Sequence, residues 1–376
     1  MARGQALPVE IRTATDIDAG AQSTIDTYVK GQVALLVGPS PHEARELLIH
    51  NTVPLPAPPP SQPQQQLSAA FLDAYAGSID TALQAALDTK PSDTVRLNIA
   101  IVAAEVSANA ENSRLSGTVE KCLADPCEAV VLWGIKGAGR ILPFELSLPP
   151  PVLDKLVPGV MAAVSRYSHE GEIARAAYQA FTPQQGDLTD DQFKQVFTTI
   201  LPSLQSLMSA RMSGYDKGIP ADPAAVLTAV RYLSDLRYVA LENDAQQLAS
   251  MQALLELISD ASQRAIGAGK DDRTALINTI GPSAGALLVV VQQRNAADGA
   301  AVNAELTTLY NIRPQSTDQA LKAAADAAIA AVVKQIPLQA PAQLPAMATT
   351  QATTVPTSGP ASNAATEGAG QPSTGP

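Results

Sequence analysis

Between Thr94 and Asn109 the chain reads TVRLNIAIVAAEVSAN, and its apolar positions fall on two sides of a helix at once. Val95, Ile99, Val102 and Val106 keep the three- and four-residue spacing that lines one face, while Leu97, Ile101 and Ala104 cover a second. Only a narrow stripe of Asn98, Glu105 and Asn109 stays polar. A helix that is apolar on two faces has two neighbours to pack on, its partner in a hairpin and the next hairpin along. Blocks of this kind, roughly 12–25 residues long as is usual for globular helices, recur along the chain, and no strand-like alternation stands among them. The pattern predicts an all-α protein.

Prolines punctuate the blocks at Pro41, Pro91, Pro126, Pro149 to Pro151, Pro183 and Pro223. Several stand where a helix would begin, a place at which the missing N–H costs nothing; Asp93 and Asp222 are candidate caps. The punctuation repeats. ALQAALDTKPSDTVRLNIAIVAAEV ends one apolar helix at Leu87-Asp88, turns at Pro91 and opens a second with Val95-Arg96. The same layout returns with Leu36, Pro41 and Ala44-Arg45, and again with Leu123, Asp125, Pro126 and Val130-Val131. Ala174-Arg175 and Asp272-Arg273 mark two further junctions. Successive junctions lie about 35–50 residues apart, close to the period of helix-pair arrays.

Through Leu87, Asp88, Pro91, Asp93, Val95, Arg96, Ile99 and Ala100, the chain resembles the HEAT-repeat (armadillo-like) α-solenoid family over residues 20–182. The resemblance implies a stack of helical hairpins, with Arg96 bonding between repeats to Asp88 or Asp125. Val131 departs from it, standing where the family has arginine, and the repeats after residue 185 are degenerate. The expected organisation is an N-terminal extension (1–19), HEAT-like repeats (20–182), a degenerate helical array continuing them (183–337) and a tail (338–376). Within the repeats, PLPAPPPSQPQQQ (54–66) reads as an extended spacer, because clustered prolines remove backbone donors. The tail holds Glu367 as its one charge and is read as disordered, having too little apolar surface to offset its ordering entropy.

Composition agrees with close helix packing: 46% of residues are hydrophobic but 4% aromatic, so alanine, leucine and valine carry the core. The net charge of −11 comes without a basic face, which argues against nucleic acid. TALINTIGPSAGALLVVVQQ (274–293) is interrupted by Asn278, Gly281 and Pro282, so no membrane span is expected. The first twenty residues lack a secretory apolar block. The expectation is a soluble, cytoplasmic protein, the alternative an exported one whose signal is absent from this numbering.

Candidate chemistry is sparse. Cys122 and Cys127 are not a CxxC pair, and His42, His50 and His169 lie far from them, so neither a zinc site nor a thioredoxin-type motif is expected. Two buried thiols and a bridge across a helical turn both remain open. GIKGAGR (134–140) lacks the GxxxxGK[ST] spacing, and its glycines fit close helix approach better than phosphate binding. DLTDDQ (187–192) lacks the EF-hand glycine and terminal glutamate and reads as an acidic helix start. No catalytic set, cofactor site or metal site is expected. Asn98, Glu105 and Asn109 on one second helix (93–109), with Trp133, Lys136 and Arg140 on the next (127–140), form the candidate protein-binding set. Trp133 has a second reading, as a core residue. The expected function is a non-catalytic scaffold binding a protein or peptide partner on a concave face. The alternative is an accessory or regulatory subunit of a cell-envelope or secretion assembly.

Overall fold

The computed structural model describes residues 6–54, 66–146, 155–182, 189–215 and 223–341. Among them the chain is all-helical, with sixteen helices and no strand. In order these are α1 (Val9–Arg12), α2 (Ala19–Val37), α3 (Pro41–His50), α4 (Ala69–Asp88), α5 (Asp93–Ala110), α6 (Ser116–Leu123), α7 (Glu128–Leu146) and α8 (Leu156–Arg166). There follow α9 (Gly171–Ala180), α10 (Asp190–Tyr215), α11 (Pro223–Leu233), α12 (Leu236–Val239), α13 (Asp244–Ala265), α14 (Lys270–Arg294), α15 (Ala296–Tyr310) and α16 (Asp318–Gln335).

Local chemistry sets the boundaries. Asp18 accepts the Ala21 N–H to open α2, Ser68 that of Phe71 for α4, and Asn243 with Gln246 forms a reciprocal capping box for α13. Pro41 takes the first turn of α3. Asp93, expected to cap α5, lies inside its first turn instead. Ser92 holds the cap position, and Asp93 pairs with Arg96 at 3.1 Å. Asp222 falls outside the described residues.

Consecutive helices pair off: α2 with α3, α4 with α5, α6 with α7, α8 with α9, α10 with α11, α13 with α14 and α15 with α16. Second helices touch second helices in the series α3, α5, α7, α9, α11, α14. First helices touch first helices along α2, α4, α6, α8 and again along α10 and α13; the last pair departs from this order, α15 packing on α14 and α16 on α13. The short α12 is an insertion resting on α11 and α14. This double contact accounts for the apolar faces of α5, which packs on α4 as well as on α3 and α7. A continuous core results, with Phe71, Tyr75, Tyr178, Phe181 and Phe197 fully buried; each such side chain stabilises the fold by roughly 2–3 kcal/mol.

Polar ties join neighbouring pairs. Arg96 donates through Nε to Asp125 Oδ2 at 2.7 Å and through Nη1 to the Pro91 carbonyl at 2.8 Å. Its partner is thus Asp125, while Asp88 pairs with Lys121 at 2.6 Å. At Val131, which has no guanidinium, Arg166 of α8 supplies the tie instead, donating to the carbonyls of Leu123 (2.8 Å) and Ala124 (3.3 Å). Arg273 likewise reaches the next turn. It pairs with Asp318 and donates to the carbonyls of Ser316 (2.6 Å) and Pro314 (3.2 Å).

Three expectations change. The described part of the N-terminal extension is docked: Leu7 is buried, and Arg12 Nη2 donates to the carbonyls of His50, Asn51 and Val53 at the end of α3. The tail begins later than residue 338, because Leu338 packs on the core and Gln339 exchanges backbone hydrogen bonds with the Gln252 side chain. The apolar run 274–293 is uninterrupted as a helix. α14 continues through Asn278, Gly281 and Pro282 and is long and apolar enough to cross a membrane, but most of it is buried against α11, α13 and α15. Pro282 is tolerated because it and Asn278, whose carbonyl loses its donor, are both exposed to water. The spacer, apart from Pro54 and Gln66, and the tail beyond Pro341 lie outside the described residues.

Candidate functional site

Three successive second helices, α5, α7 and α9, enclose a cleft of about 690 Å³. α7 forms its middle. Viewed along α7, Trp133, Lys136, Arg140 and Phe144 recur at helical spacing and line the cleft, while Glu105, Ala108 and Glu111 contribute from α5 and its end, and Ala176, Gln179 and Ala180 from α9. The floor is made of small residues because the helices lie close. A Cβ on Gly137 would come within 2.9 Å of Val119 Cγ2, and one on Gly139 within 2.9 Å of the Ala180 Cα. The glycines of GIKGAGR therefore do what was expected of them, letting α7 approach α6 and α9.

The six sequence candidates divide. Glu105, Trp133, Lys136 and Arg140 all line the cleft. Asn98 and Asn109 do not, and each is committed to stacking. Asn98 accepts from Arg45 Nη1 at 3.0 Å and donates to the Thr94 carbonyl at 3.0 Å. Asn109 Nδ2 donates to Thr52 Oγ1 at 3.0 Å, tying α5 to the end of α3. These are the amide counterparts of the arginine ties, and both side chains stand outside the lining of the cleft.

Trp133 answers to both of its readings. One side of the half-buried indole packs on a small cluster of Ala100, Cys122 and Val130, with Leu87, Leu97 and Cys127 around it. The ring also lines the cleft, and the Lys136 ammonium stands 4.2 Å from its centroid in a cation–π contact. Lys136 and Arg140 are exposed, and Glu105 is half-buried on the opposing wall; none of the three forms an ion pair with a described residue. Four charged side chains, Glu105, Glu111, Lys136 and Arg140, thus line one cleft.

The thiols are free. Burial pushes Cys122 up to about 12, so it stays a protonated thiol and a poor nucleophile at neutral pH. Cys127 is part-buried, and its N–H donates to Asp125 Oδ1 at 2.8 Å. His42, His50 and His169 are exposed, and among the described residues no three histidine, cysteine or carboxylate side chains gather as metal ligands. The first turn of α10 carries Asp190 and Asp191, the acidic helix start read from DLTDDQ.

Sequence reasoning missed the contributions of α9 and of the C-terminal end of α7, where the helix runs to Leu146 rather than ending at residue 140. The junction at Arg175 was the available signal, since it marks α9 as the second helix after α7. No family model matches this chain, and no curated protein matches it.

Proposed function

We propose that this protein is a non-catalytic interaction scaffold, a HEAT-like α-solenoid that holds a protein or peptide partner in the cleft over α5, α7 and α9. The observation carrying this reading is that Glu105, Lys136 and Arg140 face one concavity without ion-pairing to one another. Charges near a fold's surface that serve stability are normally paired or dispersed; charges gathered around an aromatic side chain in a cleft suit a partner, with an anchor and a polar rim. The alternating contacts of first with first and second with second helices support the solenoid reading, since arrays of this kind offer extended concave surfaces. The lining holds no histidine or cysteine, which supports binding over chemistry.

The test is site-specific photo-crosslinking from Gln179, an exposed residue of the lining, in cells expressing the full chain. A protein adduct is expected with the wild type and is lost when Ala108 on the cleft floor is replaced by tryptophan. An adduct that survives Ala108→Trp, or the absence of any protein adduct, overturns the reading.

A further inference from the structure

We infer that the cleft takes an extended acidic peptide segment, its carboxylates on Lys136 and Arg140 and its flanking apolar side chains on Trp133 and Phe144. This inference rests on the reading of the cleft as the partner site and adds the chemistry of the partner.

The charge arrangement comes first. Lys136 and Arg140 are one helical turn apart on α7, a like-charged pair of the kind that mildly destabilises a helix. Among the described residues neither side chain has an ion pair, although the chain carries 36 acidic residues against 25 basic ones and pairs arginines readily elsewhere. The two cations sit together on α7, while Glu105 and Glu111 stand toward α5, so an anion brought by a partner meets two donors on one side of the cleft only. The cation–π contact with Trp133 holds the Lys136 ammonium in place, so its remaining donors are positioned before a ligand arrives.

Geometry sets the length. Trp133 and Phe144 are eleven positions apart on one helix, which is about 16 Å along its axis. An extended chain covers that distance in about five residues. The basic pair lies between the two aromatic rings, so the segment that fits has apolar residues at either end and one or two carboxylates within. Glu105 and Gln179 stand on the flanking walls, one from α5 and the other from α9. An extended backbone offers N–H groups to the first and both N–H and carbonyl groups to the second, so Glu105 is satisfied without a cation. An anionic polymer such as RNA, with a charge at every unit, fits this cleft poorly, because Glu105 and Glu111 line the same space; a segment with one or two carboxylates can place them on α7 alone.

The experiment is selection of a phage-displayed library of random dodecapeptides on the immobilised full chain, followed by affinity measurement on the winning synthetic peptides. Wild type is expected to enrich sequences with aspartate or glutamate between apolar residues. Lys136→Glu combined with Arg140→Glu should weaken those peptides at least tenfold while leaving the helical circular dichroism intact, since both side chains are exposed. Ala108→Trp should abolish binding of any cleft ligand. Peptides that are basic or neutral, or acidic peptides indifferent to the charge reversal, yet lost with Ala108→Trp, overturn the acidic assignment and leave the cleft as the site. Peptides indifferent to Ala108→Trp, or no enrichment at all, overturn both.

Discussion

Glu242, in the link between α12 and α13, is a buried carboxylate with no cation beside it. Both its oxygens accept from the Ser250 hydroxyl, at 3.2 and 3.3 Å, and that hydroxyl in turn accepts from Gln205 Nε2 at 2.8 Å. The neighbouring Tyr232 hydroxyl is buried without a hydrogen-bond partner, and the negative charges of Glu242 and Asp235 help push its pKa up. Burial raises the Glu242 carboxyl from 4.5 to about 7, and the Ser250 hydrogen bond only partly opposes that. At 1.36 kcal/mol for each tenfold change, holding this carboxylate charged in the fold costs about 3 kcal/mol. Glu242→Gln keeps an acceptor for Ser250 and removes the charge.

The sign follows from linkage. The folded value lies above the unfolded one, so the native state keeps a proton that the unfolded chain gives up. The stability associated with Glu242 is complete below pH 4.5 and is lost as pH rises through about 7. Urea unfolding of wild type and Glu242→Gln, paired at pH 5, 6, 7 and 8, cancels every other titration common to both. The variant should be the more stable by about 2–3 kcal/mol at pH 8, with most of that difference gone at pH 5. Because a helical chain of this length can unfold in parts, hydrogen exchange of the α13 amides gives the local version of the same comparison. A variant no more stable at pH 8, or a difference that does not change with pH, would refute the account of Glu242 as an uncompensated charge.

Two further outcomes are expected. Arg96→Ala should cost about 1–3 kcal/mol, and a double-mutant cycle with Asp125→Ala should show strong coupling, because each is the other's main partner; additive losses would remove the stacking role. Deleting residues 342–376 should leave the melting midpoint unchanged, whereas a deletion starting at Leu338 should lower it, through loss of the Leu338 packing and the Gln339–Gln252 bonds; equal midpoints would show that those contacts carry nothing.

The helical class was legible because alanine-, leucine- and valine-rich blocks with proline joins have no other economical packing, and the two apolar faces of α5 announced two packing partners. The role of Arg96 was legible through the resemblance, with Asp88 and Asp125 both open as its partner; the structure has Asp125. Sequence could not place Arg166 or Arg12. Both bond to backbone carbonyls, which leave no signature in side-chain identity. The run at α14 misled for a related reason. Proline, glycine and asparagine together signal a break, yet a helix in a packed array keeps going when the freed carbonyl faces water and its neighbours bury the rest.

At the site, one cause accounts for where the structure places these residues. Polar residues on an otherwise apolar helix were taken together as one stripe, but an amide and a charged group serve a stack differently. Asn98 and Asn109 are small enough to lie between adjacent second helices and can both donate and accept there, so they turn inward to Arg45 and Thr52. Glu105, Lys136 and Arg140 would have to shed more hydration to be buried in that gap and gain fewer matched bonds, so they stay at the cleft surface. The repeat itself carried the distinction. Glu105 lies nine residues past Arg96, and Arg140 nine past Val131, so acid and base occupy equivalent places on adjacent helices. Asn98 and Trp133 are equivalent in the same register, two residues past those positions, and both contribute to packing between helices. Opposite charges at the Glu105 and Arg140 positions line one cleft without an ion pair among the described residues, and unpaired charges gathered in a cleft are the physical reason to look for a partner there rather than along the joints.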